Sequence, residues 1–141
     1  MKLYVDASVL LRVVLRERGV LREWQRSTRL ISSELIRLEC LRTIDRARIR
    51  ERLGDEAVAE QRGGLWDALR SIELLRIDRL VLERAEGQFP TSLGSLDAIH
   101  LASALIAREE VPDLVVASHD RELATAARSL GFRVVGSVGL A

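Results

Sequence analysis

The chain opens with KLYVD, a short apolar, β-prone run that ends in an acid, and continues with SVLLRVVLRER, whose apolar positions have helical spacing. Strand, turn and helix are predicted in that order. After Gly19 comes a short helical piece, VLREWQRS, then RLIS as a second brief strand and SELIRLECLRTIDRARIRERL as a long helix that stops near Gly54. From Asp55 to Leu75 the helical pattern continues, but Gly63 and Gly64 interrupt it, which predicts a kink or two separate helices. LLRID reads as a third strand, LVLERAEGQ as a helix and FPTSLGS as a loop. LDAIHLASALIARE is apolar nearly all round, the pattern of a helix buried between other elements. VPDLVVASHD predicts a buried strand, RELATAARSLG a helix and FRVVG a last strand.

Strands alternating with helices imply parallel pairing through right-handed crossovers. The predicted fold class is therefore α/β, a three-layer α/β/α domain around a central parallel sheet of four to five strands. With 141 residues, 48% of them apolar and 30% charged, the composition suits one domain spanning residues 1–141, without a linker. The start, MKLYVD, lacks the apolar region of a signal peptide, and no apolar run reaches membrane-spanning length. A soluble, cytoplasmic protein without a membrane partner is expected. The single cysteine, Cys40, excludes an internal disulfide and a multi-cysteine zinc site, and among leucines it reads as a buried thiol with no chemistry.

A net charge of +1 gives little overall attraction to nucleic acid. Of the 22 basic residues only Lys2 is a lysine, so arginines, whose planar fork suits phosphate, carry nearly all the positive charge. A high-GC genome produces the same bias. Two groups are dense: Arg12, Arg16, Arg18, Arg22 and Arg26, then Arg42, Arg46, Arg48, Arg50 and Arg52. Phosphate contact is one use for them, and a solvated helix face balanced by Glu17, Glu23, Asp45 and Glu51 is the other. Five aromatic residues among Trp, Phe and Tyr cannot support extensive base stacking. Trp24 and Trp66 read as core residues or as part of a groove for a partner helix.

Candidate chemistry lies in the acids. Ligands of open α/β sheets bind beyond the carboxyl ends of the strands, and Asp6 and Asp120 each stand just after an apolar strand. Both also precede helices, where aspartate is a good N-cap. Glu39 falls between Leu35 and Ile36 at about 100° per residue, on an apolar stripe that also includes Leu38. A salt bridge to Arg42 is the structural alternative, and such a pair is costly to bury. Asp97 opens the most apolar helix, where it either serves the site or complements the helix dipole with Ser95 as cap. Four carboxylates on one rim repel one another unless a cation compensates, and an oxygen-only set suits Mg²⁺ or Mn²⁺ better than zinc. His100 and His119 lack zinc-like spacing and read as packing residues or as partners of the ligands rather than ligands.

At these residues the chain resembles the PIN-domain family, most closely its toxin branch, the VapC-like ribonucleases of bacterial toxin–antitoxin pairs. YVDASVLL resembles the opening strand with Asp6 and the hydroxyl of Ser8; SSELIRLECLR carries Glu39, SLDAIHLASAL carries Asp97 and ASHDRELATAA carries Asp120. Each motif is short, and their order and spacing run end to end. The departure is in ASHD, where Ser118 occupies a position that is frequently threonine and His119 adjoins the acid. The resemblance implies Mg²⁺ or Mn²⁺ held by Asp6, Asp97, Glu39 and Asp120, with Ser8 and Ser118 orienting the carboxylates. It further implies an RNA substrate, a homodimer and a cognate antitoxin that blocks the site.

Two other functions compete for these residues. A phosphotransferase with Asp6 as nucleophile would use a second aspartate two residues on, where Ser8 stands, and a late lysine that the chain lacks. A silent binding module of the same fold would be signalled by loss of an acid, and all four acids are present.

Overall fold

Both halves of the sheet are built outward from one central strand. In the computed structural model, which describes residues 1–137, β1 (Lys2–Val5) is flanked on one side by β2 (Arg29–Ser33) and then β3 (Ile72–Leu75). On its other side lie β4 (Val115–Ala117) and then β5 (Val134–Val135). All pairings are parallel, and Tyr4 is in register with Ile31 on one side and Val116 on the other. Five strands and three layers agree with the predicted fold class.

The side-chain alternation of β1 divides the core in two. Leu3 and Val5 face α1 (Ala7–Val14), α3 (Leu35–Glu51) and α4 (Asp55–Leu69), packing with Val9, Leu10, Ile36, Ile44 and Leu65. Tyr4 faces the opposite layer, α6 (Ser95–Glu110) and α7 (Arg121–Ser129), with Leu101, Leu105, Leu123 and Ala126. Each fully buried aliphatic side chain contributes on the order of 2 kcal/mol by leaving water. Two short helices, α2 (Arg22–Arg26) and α5 (Arg79–Ala85), complete the described chain. No helix among the described residues is long and apolar enough to cross a membrane.

Three element boundaries differ from the sequence reading. Helix α1 ends at Val14 rather than continuing through the arginines, because Arg16 turns left-handed with φ 52° and Gly19 follows at φ 83°. Helix α4 is one uninterrupted helix through Gly63 and Gly64, not two. Glycine costs a helix interior about 1 kcal/mol each. Packing of Val58, Leu65, Ala68 and Leu69 onto the core offsets that cost. The third strand starts at Ile72, ahead of LLRID, since buried Ile72 pairs with Leu30 and Asp78 already caps α5 through the Val81 amide.

The strand order matters for function. From β1 the chain builds toward β2 and β3, then crosses back to place β4 on the far side of β1. The direction of winding therefore reverses between β1 and β4, which opens a crevice at their carboxyl ends. Asp6 leaves β1 at that crevice and donates its backbone N–H to the Ala117 carbonyl of β4 at 3.3 Å.

Candidate active site

Asp6 is 5% exposed and extended in backbone (φ −97°, ψ 177°), the geometry of a residue between strand and helix. Its Oδ1 accepts from the Ser8 hydroxyl at 2.6 Å and the Val9 amide at 3.2 Å, while Oδ2 accepts from the Ser118 hydroxyl at 2.5 Å. The cap and the buried acid are thus one residue doing both. Burial raises the Asp6 pKa above its ordinary value, against the opposing pull of the Ser118 and Ser8 hydroxyls.

The two serines interlock the turns after β1 and β4. Ser8 Oγ accepts from the His119 amide at 2.9 Å, and Ser118 Oγ accepts from the Asp120 amide at 3.0 Å. Each hydroxyl donates to Asp6 and receives a backbone hydrogen from the β4–α7 turn, so the position of Asp120 is tied to that of Asp6. Asp120 caps α7 through Oδ1, which accepts from the Glu122 amide at 2.9 Å and the Leu123 amide at 3.2 Å. Its Oδ2 takes no hydrogen bond among the described residues.

Asp97 lies in the first turn of α6 and is half-buried. The residue ahead of the helix is Gly94, with no side-chain cap, so the expected capping role of Ser95 is not realised; Ser95 is already inside the helix. Burial and, next, the charge of Asp120 push the Asp97 carboxyl up to about 6, with Asp6 and Glu39 adding to the effect and His100 opposing it. The four predicted acids are therefore close enough for their charges to act on Asp97.

Glu39 has 20% of its side chain exposed, and its partner is His100, whose Nε2 lies 2.5 Å from Oε1. Arg42, the partner considered from sequence, bonds instead to Asp45 at 3.2 Å. The apolar stripe is also narrower than its sequence suggests: Leu35, Ile36 and Cys40 are buried, but Leu38 is 56% exposed. Glu39 stands at the edge of that stripe. His100 reaches a further partner, the Tyr4 hydroxyl, at 2.9 Å from Nδ1. The sequence offers His100 as a packing residue or a partner of a ligand without naming which ligand, and the structure gives it Glu39.

Whether these groups suit a divalent cation is decided by their chemistry and their present bonds. The set is four carboxyls, hard oxygen donors, with repulsion already recorded in the raised Asp97 carboxyl. Asp97 takes no hydrogen bond among the described residues, and neither Glu39 Oε2 nor Asp120 Oδ2 does. Against this, no three His, Cys, Asp or Glu groups among the described residues stand ready-made around one point. Both oxygens of Asp6 accept from serines, and one oxygen of Glu39 is bonded to His100. The group fits a cation in donor type and charge.

Other candidates fall outside the site. Cys40 is fully buried, with its thiol pushed up to about 12 by burial, consistent with a packing role. Trp24 packs partly against the core, whereas Trp66 is 40% exposed beside the Arg62 guanidinium. In the arginine clusters, Arg42 and Arg48 share Asp45, and Arg16 pairs with Glu60. His119 donates through Nδ1–H to the Gly136 carbonyl, 2.8 Å away, and its side chain makes no hydrogen bond to an acid of the site among the described residues.

Comparison with known proteins agrees with this geometry. The PIN-domain family matches residues 3–129. Ribonuclease VapC46 of Mycobacterium tuberculosis is 31% identical over 137 residues, covering 94% of this chain and 95% of that protein. The crystal structure of PAE2754 from Pyrobaculum aerophilum shares the fold at a TM-score of 0.55 and 20% identity, over 97% of this chain and 82% of that one. With a family match over most of its length and a five-stranded parallel sheet, the chain belongs to the PIN-domain family.

Proposed function

We propose that this chain is a Mg²⁺- or Mn²⁺-dependent endoribonuclease, the toxin of a toxin–antitoxin pair, formed by a single domain over residues 1–141. The observation that carries the reading is the Asp97 carboxyl, pushed up to about 6 by burial and by the charges of Asp120, Asp6 and Glu39. A surface that repels itself in this way is suited to a cation. The similarity to ribonuclease VapC46 supports RNA as substrate.

Asp6, Asp97 and Glu39 would be the principal ligands, with Asp120 completing the set. A bound divalent ion would supply charge neutralisation at the phosphodiester and lower the pKa of an attacking water. The protein supplies the rest. Ser8 and Ser118 hold Asp6 in one orientation, so that its carboxylate is aimed before substrate arrives. Asp120, tied to Asp6 through Ser118, has an Oδ2 with no hydrogen-bond partner among the described residues. Buried surroundings at Asp6 exclude bulk water and strengthen each interaction with the developing charge. Arginines beyond the rim contact the RNA backbone. A homodimer, a cognate antitoxin covering the acids and a cytoplasmic setting complete the reading.

The test is cleavage of single-stranded RNA by purified protein with Mg²⁺ or Mn²⁺. Chelation with EDTA and the Asp97→Asn substitution should each abolish cleavage. Undiminished cleavage by Asp97→Asn, in preparations cleared of contaminating nuclease, would overturn the reading.

A further inference from the structure

We propose that His100 is a positioning residue of the carboxylate site, holding the Glu39 side chain through Nε2 while the Tyr4 hydroxyl fixes the imidazole from the other side. The proposal rests on the reading above that Glu39 faces a cation.

Both ring nitrogens of His100 are engaged: Nε2 with Glu39 Oε1 at 2.5 Å, and Nδ1 with the Tyr4 hydroxyl at 2.9 Å. An ionised carboxylate only accepts, so Nε2 carries the hydrogen; in the neutral ring Nδ1 then accepts from Tyr4. His100 and Tyr4 are each 1% exposed, and their rings meet edge to face at 79° with centroids 5.9 Å apart. A buried ring bonded at both nitrogens cannot turn without stranding two polar groups. Ser32 and Ser103 also face the Tyr4 hydroxyl, so that end of the chain lies in a polar lining rather than against apolar surface.

The placement of the three residues argues for more than a structural clamp. Tyr4 lies on β1 two residues before Asp6, His100 on α6 three residues after Asp97, and Glu39 on α3. One hydrogen-bonded chain thus connects the three elements that carry three of the acids. It crosses from the α6 layer to the α3 layer, on opposite faces of the sheet. Only Oε1 of Glu39 is used, and Oε2 has no hydrogen-bond partner among the described residues. The carboxylate is therefore oriented by one oxygen and available through the other. Groups that orient a metal ligand in this way typically account for about 10–100-fold in metal affinity or activity.

The experiment measures Mn²⁺ affinity by calorimetry, RNA cleavage as separate kcat and KM, and melting temperature, in wild type, His100→Leu, His100→Gln, Tyr4→Phe and Asp97→Asn. His100→Leu should weaken Mn²⁺ binding by roughly 10–100-fold and lower kcat while leaving KM for RNA near wild type. Recovery of most of that loss is expected in His100→Gln, whose amide N–H can replace Nε2–H. Tyr4→Phe keeps the ring volume, and ¹⁵N NMR should show His100 losing its single Nε2–H tautomer in that variant. Mn²⁺ affinity and kcat unchanged in folded His100→Leu would overturn the proposal. Should that variant fail to fold, unchanged values together with an unchanged imidazole spectrum in Tyr4→Phe would do the same. If Asp97→Asn also binds Mn²⁺ normally, the site reading itself falls; loss there with none in the His100 variants removes only the role of His100.

Discussion

The Ser118 hydroxyl donates to Asp6 Oδ2 at 2.5 Å across the crevice between β4 and β1, joining residues 112 positions apart in sequence. The same oxygen accepts the Asp120 amide, so one hydroxyl serves two acids. Ser118→Ala removes the donor to a buried carboxylate and should destabilise the fold by about 1–3 kcal/mol. It should also slow RNA cleavage by roughly 10–100-fold, through misorientation of Asp6. Ser118→Thr keeps the hydroxyl and should retain both properties. Denaturant unfolding and single-turnover cleavage check the pair; an Ala variant as stable and active as wild type would contradict the assigned linkage.

Asp97 makes a prediction about pH. Its carboxyl is raised from 3.8 to about 6, so the folded, cation-free protein holds this proton more tightly than the unfolded chain does. The stability it confers is fully present below about 3.8 and is lost as pH rises through about 6. Between about pH 4 and 6 the cation-free protein should therefore lose part of its melting temperature, and Asp97→Asn should flatten that slope. Mn²⁺ affinity should climb over the same interval because the ion needs the carboxylate. An identical slope in wild type and Asp97→Asn would remove Asp97 as its cause.

Gly136 sets the geometry of the turn behind Ser118. At φ 95° it occupies a backbone region unfavourable to other residues, and a Cβ there would lie 2.8 Å from the Ser118 carbonyl oxygen. Gly136→Ala should cost about 1–3 kcal/mol and disturb Ser118, lowering activity along with stability. Gly54→Ala, at a position with nothing within 4 Å of the added carbon, is the matched control and should leave cleavage intact. The comparison is read by thermal melts and cleavage rates; indifference of both proteins would show that the turn tolerates the change.

Arg42 is expected to be dispensable. It bonds to Asp45 on the exposed side of α3, and Glu39 does not depend on it. Arg42→Ala should leave cleavage within about twofold of wild type, as exposed ion pairs contribute little. A loss comparable with that of Glu39→Gln would restore the Glu39–Arg42 pairing considered from sequence.

The parallel sheet and its acid-bearing strand ends were legible because the signals are local: apolar runs of strand length, each followed at once by an acid and a helical pattern. Helix ends were less so. Arg16 adopts a left-handed backbone that composition does not announce, and α4 continues through two glycines because tertiary packing outweighs their propensity. In the site, Asp6 and Ser8 sit two residues apart, so their bond could be anticipated. The Glu39–His100 bond joins residues 61 positions apart on different helices, and no local pattern encodes it. Leu38 misled for the opposite reason, since an apolar residue on a helix surface reads as buried until the neighbouring layer is known to stop short of it.

The position of β4 has a kinetic corollary. Asp6 acquires its Ser118 partner only when the first strand and the fourth have paired, a closure spanning most of the chain. Contacts of such long separation form late and slowly compared with local ones. During synthesis the first hundred residues, which carry Asp6, Glu39 and Asp97, emerge before Ser118 and Asp120, so Asp6 then lacks its Ser118 partner. If the chain is a nuclease, its own topology delays that activity until translation of the domain is almost finished.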